Sequence, residues 1–227
     1  MEETTSNEPS ERELHPALIA FKKRPYLYAF IIGALFLTLL RPCLVVEADE
    51  PTKGPKIETF VFIDHEGAEF RPGDLEGQAW IAGFFDPRTE TQDSVVVDAM
   101  LDLESRYTKE GLDIHFVLIS VAPKAPNQEE LKAWFTKQSL SAKRWILLSA
   151  PDAESLRQVA VNIFRSQFDA GREGKNSEHS DRLWLIDKKG FMRGHPRQGR
   201  DNFKTSVRNH DDIFEWSRVV IKEHAPK

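Results

Sequence analysis

Three apolar runs constrain this chain more than any other feature. They are QAWIAGFF (78–85), DIHFVLISV (113–121) and RWILLS (144–149). A run that is apolar at successive positions reads as a strand covered on both faces. Each run is followed by helical spacing. After the first, Val96, Met100, Leu103 and Tyr107 recur at i, i+4, i+7 and i+11, with Gly111 as a stop. After the second, Asn127 to Glu130 has the form of a capping box and opens a helix with Leu131, Trp134 and Phe135 on its apolar face. After the third, Asp152 suits the cap of a helix carrying Leu156, Val159, Ile163 and Phe164.

Further elements flank these three units. IETFVFID (57–64) reads as a strand ended by the turn residues His65, Glu66 and Gly67. DRLWLID (181–187), Lys188-Lys189-Gly190 and FMRGH (191–195) read as a hairpin, and Ile213, Trp216 and Val220 mark a last helix. No internal repeat is present. Strands alternating with helices, then a hairpin and a helix, are the order of a thioredoxin-like α/β domain. The length of 227 residues suits one such domain with an appendage. A net charge of −5, without a basic cluster interleaved with aromatics, argues against nucleic acid as a partner.

The appendage is N-terminal. Residues 1–25 are polar and read as a disordered cytoplasmic tail that ends in Lys22, Lys23 and Arg24. The apolar run Tyr26 to Leu40 spans only about 22 Å as a helix, short of the roughly 30 Å of a hydrocarbon core. Extended to Val46, with Arg41 snorkelling, residues 26–46 are long enough for one transmembrane anchor. The basic flank before it, against Glu47, Asp49 and Glu50 after it, puts everything downstream outside the cytoplasm. A signal peptide cleaved after Ala48 is the competing reading, though the leader is long for one. Residues 47–56 then form a polar linker, and residues 57–227 the domain.

The junction AGFFDPRTETQDSVVVDAM (82–100) joins the first buried strand to its helix. Thioredoxin-like proteins carry paired cysteines there. This chain has one cysteine in all, Cys43, at the edge of the apolar segment. An intramolecular disulfide, a Cys-rich zinc site and a CxxC motif are excluded by count. Other sites on paper are weak. Asp64, His65 and Glu66 are adjacent on a turn and cannot all face one ion. Arg193, Arg197 and Arg200 read as a solvated loop sooner than an anion site. There is no Ser-His-Asp signature, phosphate loop or HExxH, so no catalytic residue is assigned and the chain does not read as an enzyme.

Several stretches together resemble the SCO/SenC family of membrane-anchored copper chaperones of cytochrome c oxidase assembly. They are RPGDLEGQAWIAGFF, VLISVAP, RWILLSAP and, most specifically, HSDRLWLIDKKGFMRG. The likeness covers about residues 57 to 220. In the family a copper-ligating histidine stands just before such a strand, and the resemblance places it at His179. The two cysteines of the family's CxxxC fall on Thr89 and Asp93, and its acidic residues in a VDPxxDT pattern fall on Ala122 and Pro126.

Cu(I) is soft and is held by thiolates. A hydroxyl, a carboxylate and an imidazole do not replace two thiolates and an imidazole. The resemblance thus implies a copper-binding family but no cofactor in this member. It implies a protein partner, either a respiratory oxidase subunit or an assembly factor, and a domain on the periplasmic or intermembrane side. The alternative function is a metal carrier or sensor that uses His179 with non-cysteine ligands.

Overall fold

The computed structural model describes residues 25–44, 51–88, 94–122, 124–165, 182–194, 203–204 and 207–223. The chain divides into two units, Met1–Ala48 and Asp49–Lys227. The described residues of the first form a helix, α1 (Pro25–Leu44), opened by Pro25, whose missing N–H is no loss at a first helical position. Its described large side chains, among them Tyr26, Phe30, Leu35 and Phe36, are exposed. Among the described residues no helix is long and apolar enough to cross a membrane. The spanning helix expected over 26–46 is therefore not seen within the described residues.

The second unit is built on a sheet of nine strands in the order β1-β8-β7-β4-β5-β6-β2-β3, with β9 also paired to β7. The strands are β1 (Thr52–Lys56), β2 (Phe62–Asp64), β3 (Glu69–Phe70), β4 (Trp80–Phe85), β5 (His115–Ser120), β6 (Trp145–Ser149), β7 (Arg182–Ile186), β8 (Phe191–Gly194) and β9 (Phe203–Lys204). The centre is parallel, β4 on β5 and β5 on β6, with β7 antiparallel to β4. The helices are α2 (Ser94–Lys109), α3 (Gln128–Lys137), α4 (Ala153–Gln158) and α5 (Val207–Lys222).

All six residues of β4 are buried, and they alternate between two cores. Ile81 and Phe85 join Val96, Met100, Leu103, Tyr107 and Ile213 on the face of α2 and α5. Trp80, Ala82 and Phe84 join Leu156, Phe164, Trp184 and Ile186 on the face of α4. The polar groups of Trp184, Trp145 and Tyr107 are paired. Trp184 Nε1 donates to Phe164 O at 3.1 Å and Trp145 Nε1 to Glu104 Oε2 at 2.8 Å. Ser217 Oγ donates to Phe214 O, so the Tyr107 hydroxyl, 2.7 Å away, donates to Ser217. Burial raises the pKa of that tyrosine.

Both caps expected from the sequence are formed. Asn127 Oδ1 accepts from Glu130 N, and Glu130 Oε2 accepts from Asn127 N. Asp152 Oδ1 accepts from Ser155 N. Three elements depart from expectation. The expected linker 47–56 already contains β1, which pairs with β8 and is pinned by Lys53 Nζ, 3.7 Å above the Phe191 ring. The strand expected over 57–64 is reduced to Phe62–Asp64, the part that meets β3 and β6. The helix after Asp152 leaves α geometry at Val159 and runs as a π turn to Ile163.

Gly83 sets how closely α2 lies on β4. A Cβ there would meet Val96 Cγ1 at 2.8 Å, Met100 Cε at 2.9 Å and Leu183 Cδ2 at 3.4 Å. The methionine methyl can swing away. Val96 is buried and β-branched, so it moves only if the helix moves. Gly83→Ala is expected to lower the unfolding free energy by about 1–3 kcal/mol, the usual range for overpacking. Urea denaturation checks this, and a variant as stable as the parent would show that the helix has room to retreat.

Candidate functional site

The parallel strands β4, β5 and β6 end side by side, and the loops that leave these ends make the candidate site. β4 runs into Asp86, Pro87 and Arg88. Asp86 Oδ1 accepts from Arg88 N at 3.0 Å, which closes a tight turn around Pro87. Arg88 Nη2 donates to Lys124 O at 2.5 Å and lies 3.9 Å from Glu130 Oε2. The adjoining residues 89–93 and 166–181 lie outside the described residues. Thr89, Asp93 and His179 are among them, so the structure does not place the three positions that the family resemblance assigns.

The neighbouring loop, between β5 and α3, is described almost throughout. Val121 N donates to Phe85 O at 2.8 Å and continues the ladder one residue past the strands. Ala122 N donates to Ser120 Oγ at 3.3 Å, and Ser149 Oγ donates to Pro126 O at 3.0 Å. Ala122 is 4% exposed. The two positions where the family resemblance puts acidic residues therefore serve packing here.

Beside them lies a cleft of about 20 Å³, lined chiefly by Ala122, Ala125, Ala150, Ala153 and Leu156. That is room for about one water. Asp152, at its rim, is held below the usual carboxylate range by the backbone and hydroxyl hydrogen bonds of Ser155. Its oxygens are spent on a helix cap. Among the described residues no three of His, Cys, Asp and Glu come together as a metal site.

The triplet Asp64-His65-Glu66 is structural, as its spacing implied. Asp64 Oδ1 accepts from Glu66 N and Ala68 N. The imidazole of His65 is buried and stacks on Phe135 with ring centres 4.3 Å apart, and Nδ1 accepts from Leu147 N at 3.4 Å. Burial lowers its pKa and favours the neutral ring.

The LIDKKG stretch is also structural. Asp187 is 3% exposed, and its Oδ1 accepts from Lys189 N and Phe191 N, both at 2.9 Å. Gly190, at φ +80, closes the turn with its own N–H on Asp187 O. Arg193 corrects the expectation of a solvated cation. It is 7% exposed, pairs with Glu223, and brings Nη1 to 3.7 Å from Asp187 Oδ2. Lys188 Nζ donates to Ile221 O and Glu223 O, the carbonyls that end α5. The hairpin turn thus docks the C-terminus of the last helix. No local signal marks Arg193, because Met192 and Arg193 are buried in succession on β8 and alternation does not single it out. Arg197, Arg200 and His195 lie outside the described residues.

A mixed sheet with a parallel centre, helices on both faces and a terminal hairpin defines this as a thioredoxin-like domain, with its candidate site at the C-terminal ends of the parallel strands. The profile of the SCO1/SenC family matches residues 48–208, and the chain belongs to that family. Solved structures are similar in fold. A SCO1/SenC family lipoprotein from Bacillus anthracis is 24% identical, with a TM-score of 0.62 over 74% of this chain and 95% of its own. BsSco, described as a member of the Sco family of cytochrome c oxidase assembly proteins, is 19% identical, with a TM-score of 0.63 over 76% and 96%. Yeast Sco1 with copper bound is 16% identical, with a TM-score of 0.58 over 77% and 98%. No curated protein matches the sequence.

The donor set of the domain contains no thiolate, a donor that Cu(I) favours. The single cysteine, Cys43, precedes the domain unit, so residues 49–227 offer no thiolate to a soft ion. What persists of the family signature here is its packing role, and that role is testable. Asp187→Ala removes the side-chain acceptor of two backbone N–H groups and the carboxylate facing buried Arg193. Breaking a buried pair on one side costs about 3–5 kcal/mol where the other charge is left alone, and Arg193 keeps Glu223, so the ion-pair part of the loss should fall below that range. Asp187→Asn keeps Oδ1 and should lose less. Chemical denaturation of both variants reads the difference, and an alanine variant within about 0.5 kcal/mol of the parent, the range of an ordinary surface change, would deny the turn this role.

Proposed function

We propose that this chain is a membrane-anchored SCO/SenC domain that acts through protein contacts in the assembly of a respiratory oxidase. On this reading it neither holds Cu(I) at the family's usual site nor exchanges thiol for disulfide. One observation carries it: the fold of the family is present from residue 49 onward, and that whole stretch contains no cysteine. Thiol–disulfide exchange needs an attacking thiolate, and stable Cu(I) binding needs sulfur. A scaffold that keeps its packing motifs and lacks its donors supports a role that packing alone can serve, which is contact with another protein. The link to oxidase assembly comes from what is said of BsSco, and the link to copper from yeast Sco1 and Arabidopsis ScoI, both described with copper bound. The partner is an oxidase subunit or an assembly factor. No residue is assigned a catalytic role and no resident cofactor is assigned. A metal carrier built on His179 would need further ligands, and no observation supplies them.

The anchor is residues 26–46, with the domain on the periplasmic or intermembrane side. The lysine and arginine flank before Tyr26 and the acidic residues after Val46 support this orientation. Alkaline phosphatase fused after Lys227 should be active in a bacterial host. An inactive phosphatase, with an active cytoplasmic reporter at the same position, would reverse the topology.

Copper binding is tested by competition against a Cu(I) chelator. The parent should show no stoichiometric site. Thr89→Cys with Asp93→Cys should create one, because it puts sulfur at the two positions that the family resemblance assigns to its cysteines. The site should weaken when His179→Ala is added. Its affinity should trail that of an intact relative by about 10- to 100-fold, the range for missing outer partners such as those at Ala122 and Pro126. A parent that binds one Cu(I) tightly would sink the reading. A double variant that binds but ignores His179 would sink the placement of the three positions.

A further inference from the structure

We propose that Arg88 is a strap that fastens the loop after β4 to the loop between β5 and α3, holding the site end of the domain in one arrangement through protein contacts. The proposal rests on the reading that this end works as a contact surface, and adds what keeps that surface in shape.

The geometry is local at one end and long-range at the other. Asp86 accepts the backbone N–H of Arg88, and Pro87 between them has a fixed φ, so the backbone that launches the arginine is set. The guanidinium then reaches 36 residues along the sequence to Lys124 O, at 2.5 Å. Lys124 lies midway between the end of β5 and the start of α3. Glu130 Oε2, 3.9 Å from the same nitrogen, is already fixed because it accepts from Asn127 N in the capping box. Only the arginine has to be ordered to complete the contact.

Among the described residues, contacts from other elements also hold the loop it reaches. Ser149 of β6 holds Pro126 O, and Gln128 Nε2 at the start of α3 donates to Glu66 O in the turn between β2 and β3. Val121 N on Phe85 O already ties the start of the loop to β4, and Arg88 adds a second tie on that side, three residues further along. The contact to the carbonyl carries the strap. The ion pair is long, and the side chains of Arg88 and Glu130 are 39% and 53% exposed, so the pair itself contributes little. A surface ordered before it meets a partner loses less freedom on binding, which is what a contact protein without chemistry requires.

Hydrogen–deuterium exchange on the full chain in detergent tests the strap. Arg88→Ala should speed exchange in peptides covering 121–127 by about threefold or more, within the range a partly exposed charged contact supports, while β5 and β6 keep their protection. Arg88→Lys, which retains a donor at the end of a long stem, should restore part of it. Glu130→Gln keeps a capping acceptor and should change little. Unchanged exchange in Arg88→Ala would overturn the proposal, and so would acceleration spread equally over β5 and β6. A Cu(I) titration of the parent chain separates the two ideas. Tight copper binding by the parent removes the functional reading and leaves the strap standing, whereas unchanged exchange removes the strap alone.

Discussion

A strand buried on both faces can leave neither face uncovered and no backbone group unpaired, and β4 is such a strand. Everything else in the domain answers that demand. β5 and β7 take its two edges. α2 and α5 cover the face of Ile81 and Phe85, and α4 covers the face of Trp80 and Phe84. Gly83 lets α2 come close enough to do so without a void, because its missing side chain leaves room for Val96 and Met100. The loop after β4 begins where this burial ends, so the place of the candidate site follows from the same constraint.

Polar groups in the described part of the domain are mostly committed to holding the backbone. Asp187 terminates a hairpin, Asp152 and Asn127 cap helices, and His65 is stacked and hydrogen-bonded inside the sheet edge. A metal centre needs several donors that converge and are not otherwise occupied. Groups already used as caps have neither property. This explains how the SCO1/SenC fold persists here without the sulfur pair: its signature stretch LIDKKG earns its place through the docking of α5.

The three central strands, their helices and both caps were legible because each rests on a local rule. The nearly unbroken apolar run of β4, helical spacing from Val96 to Tyr107, and the box from Asn127 to Glu130 are all written within a short stretch of chain. β1 was not legible. TKGPK has no apolar pattern and contains a proline and a glycine, and it is a strand because β8 offers it an edge. The burial of Arg193 was missed for the same kind of reason. Its partner Glu223 is 30 residues away, on another element. The π turn at Val159–Ile163 is likewise absent from the spacing of its apolar residues, which fits an α-helix.

By itself the sequence determined which segments are buried strands, where the helices start, that no thiolate pair can form within the domain, and the family resemblance. These are matters of residue type and of short-range order along the chain. The tertiary structure alone decided the role of the polar side chains whose partners lie far away in sequence. It made Arg193 a buried ion-pair partner, Lys188 a helix cap and Arg88 a bridge to Lys124 O. The reason is physical: the free energy of a charge or a hydrogen-bonding group depends on what surrounds it, and those surroundings come from residues far away in sequence.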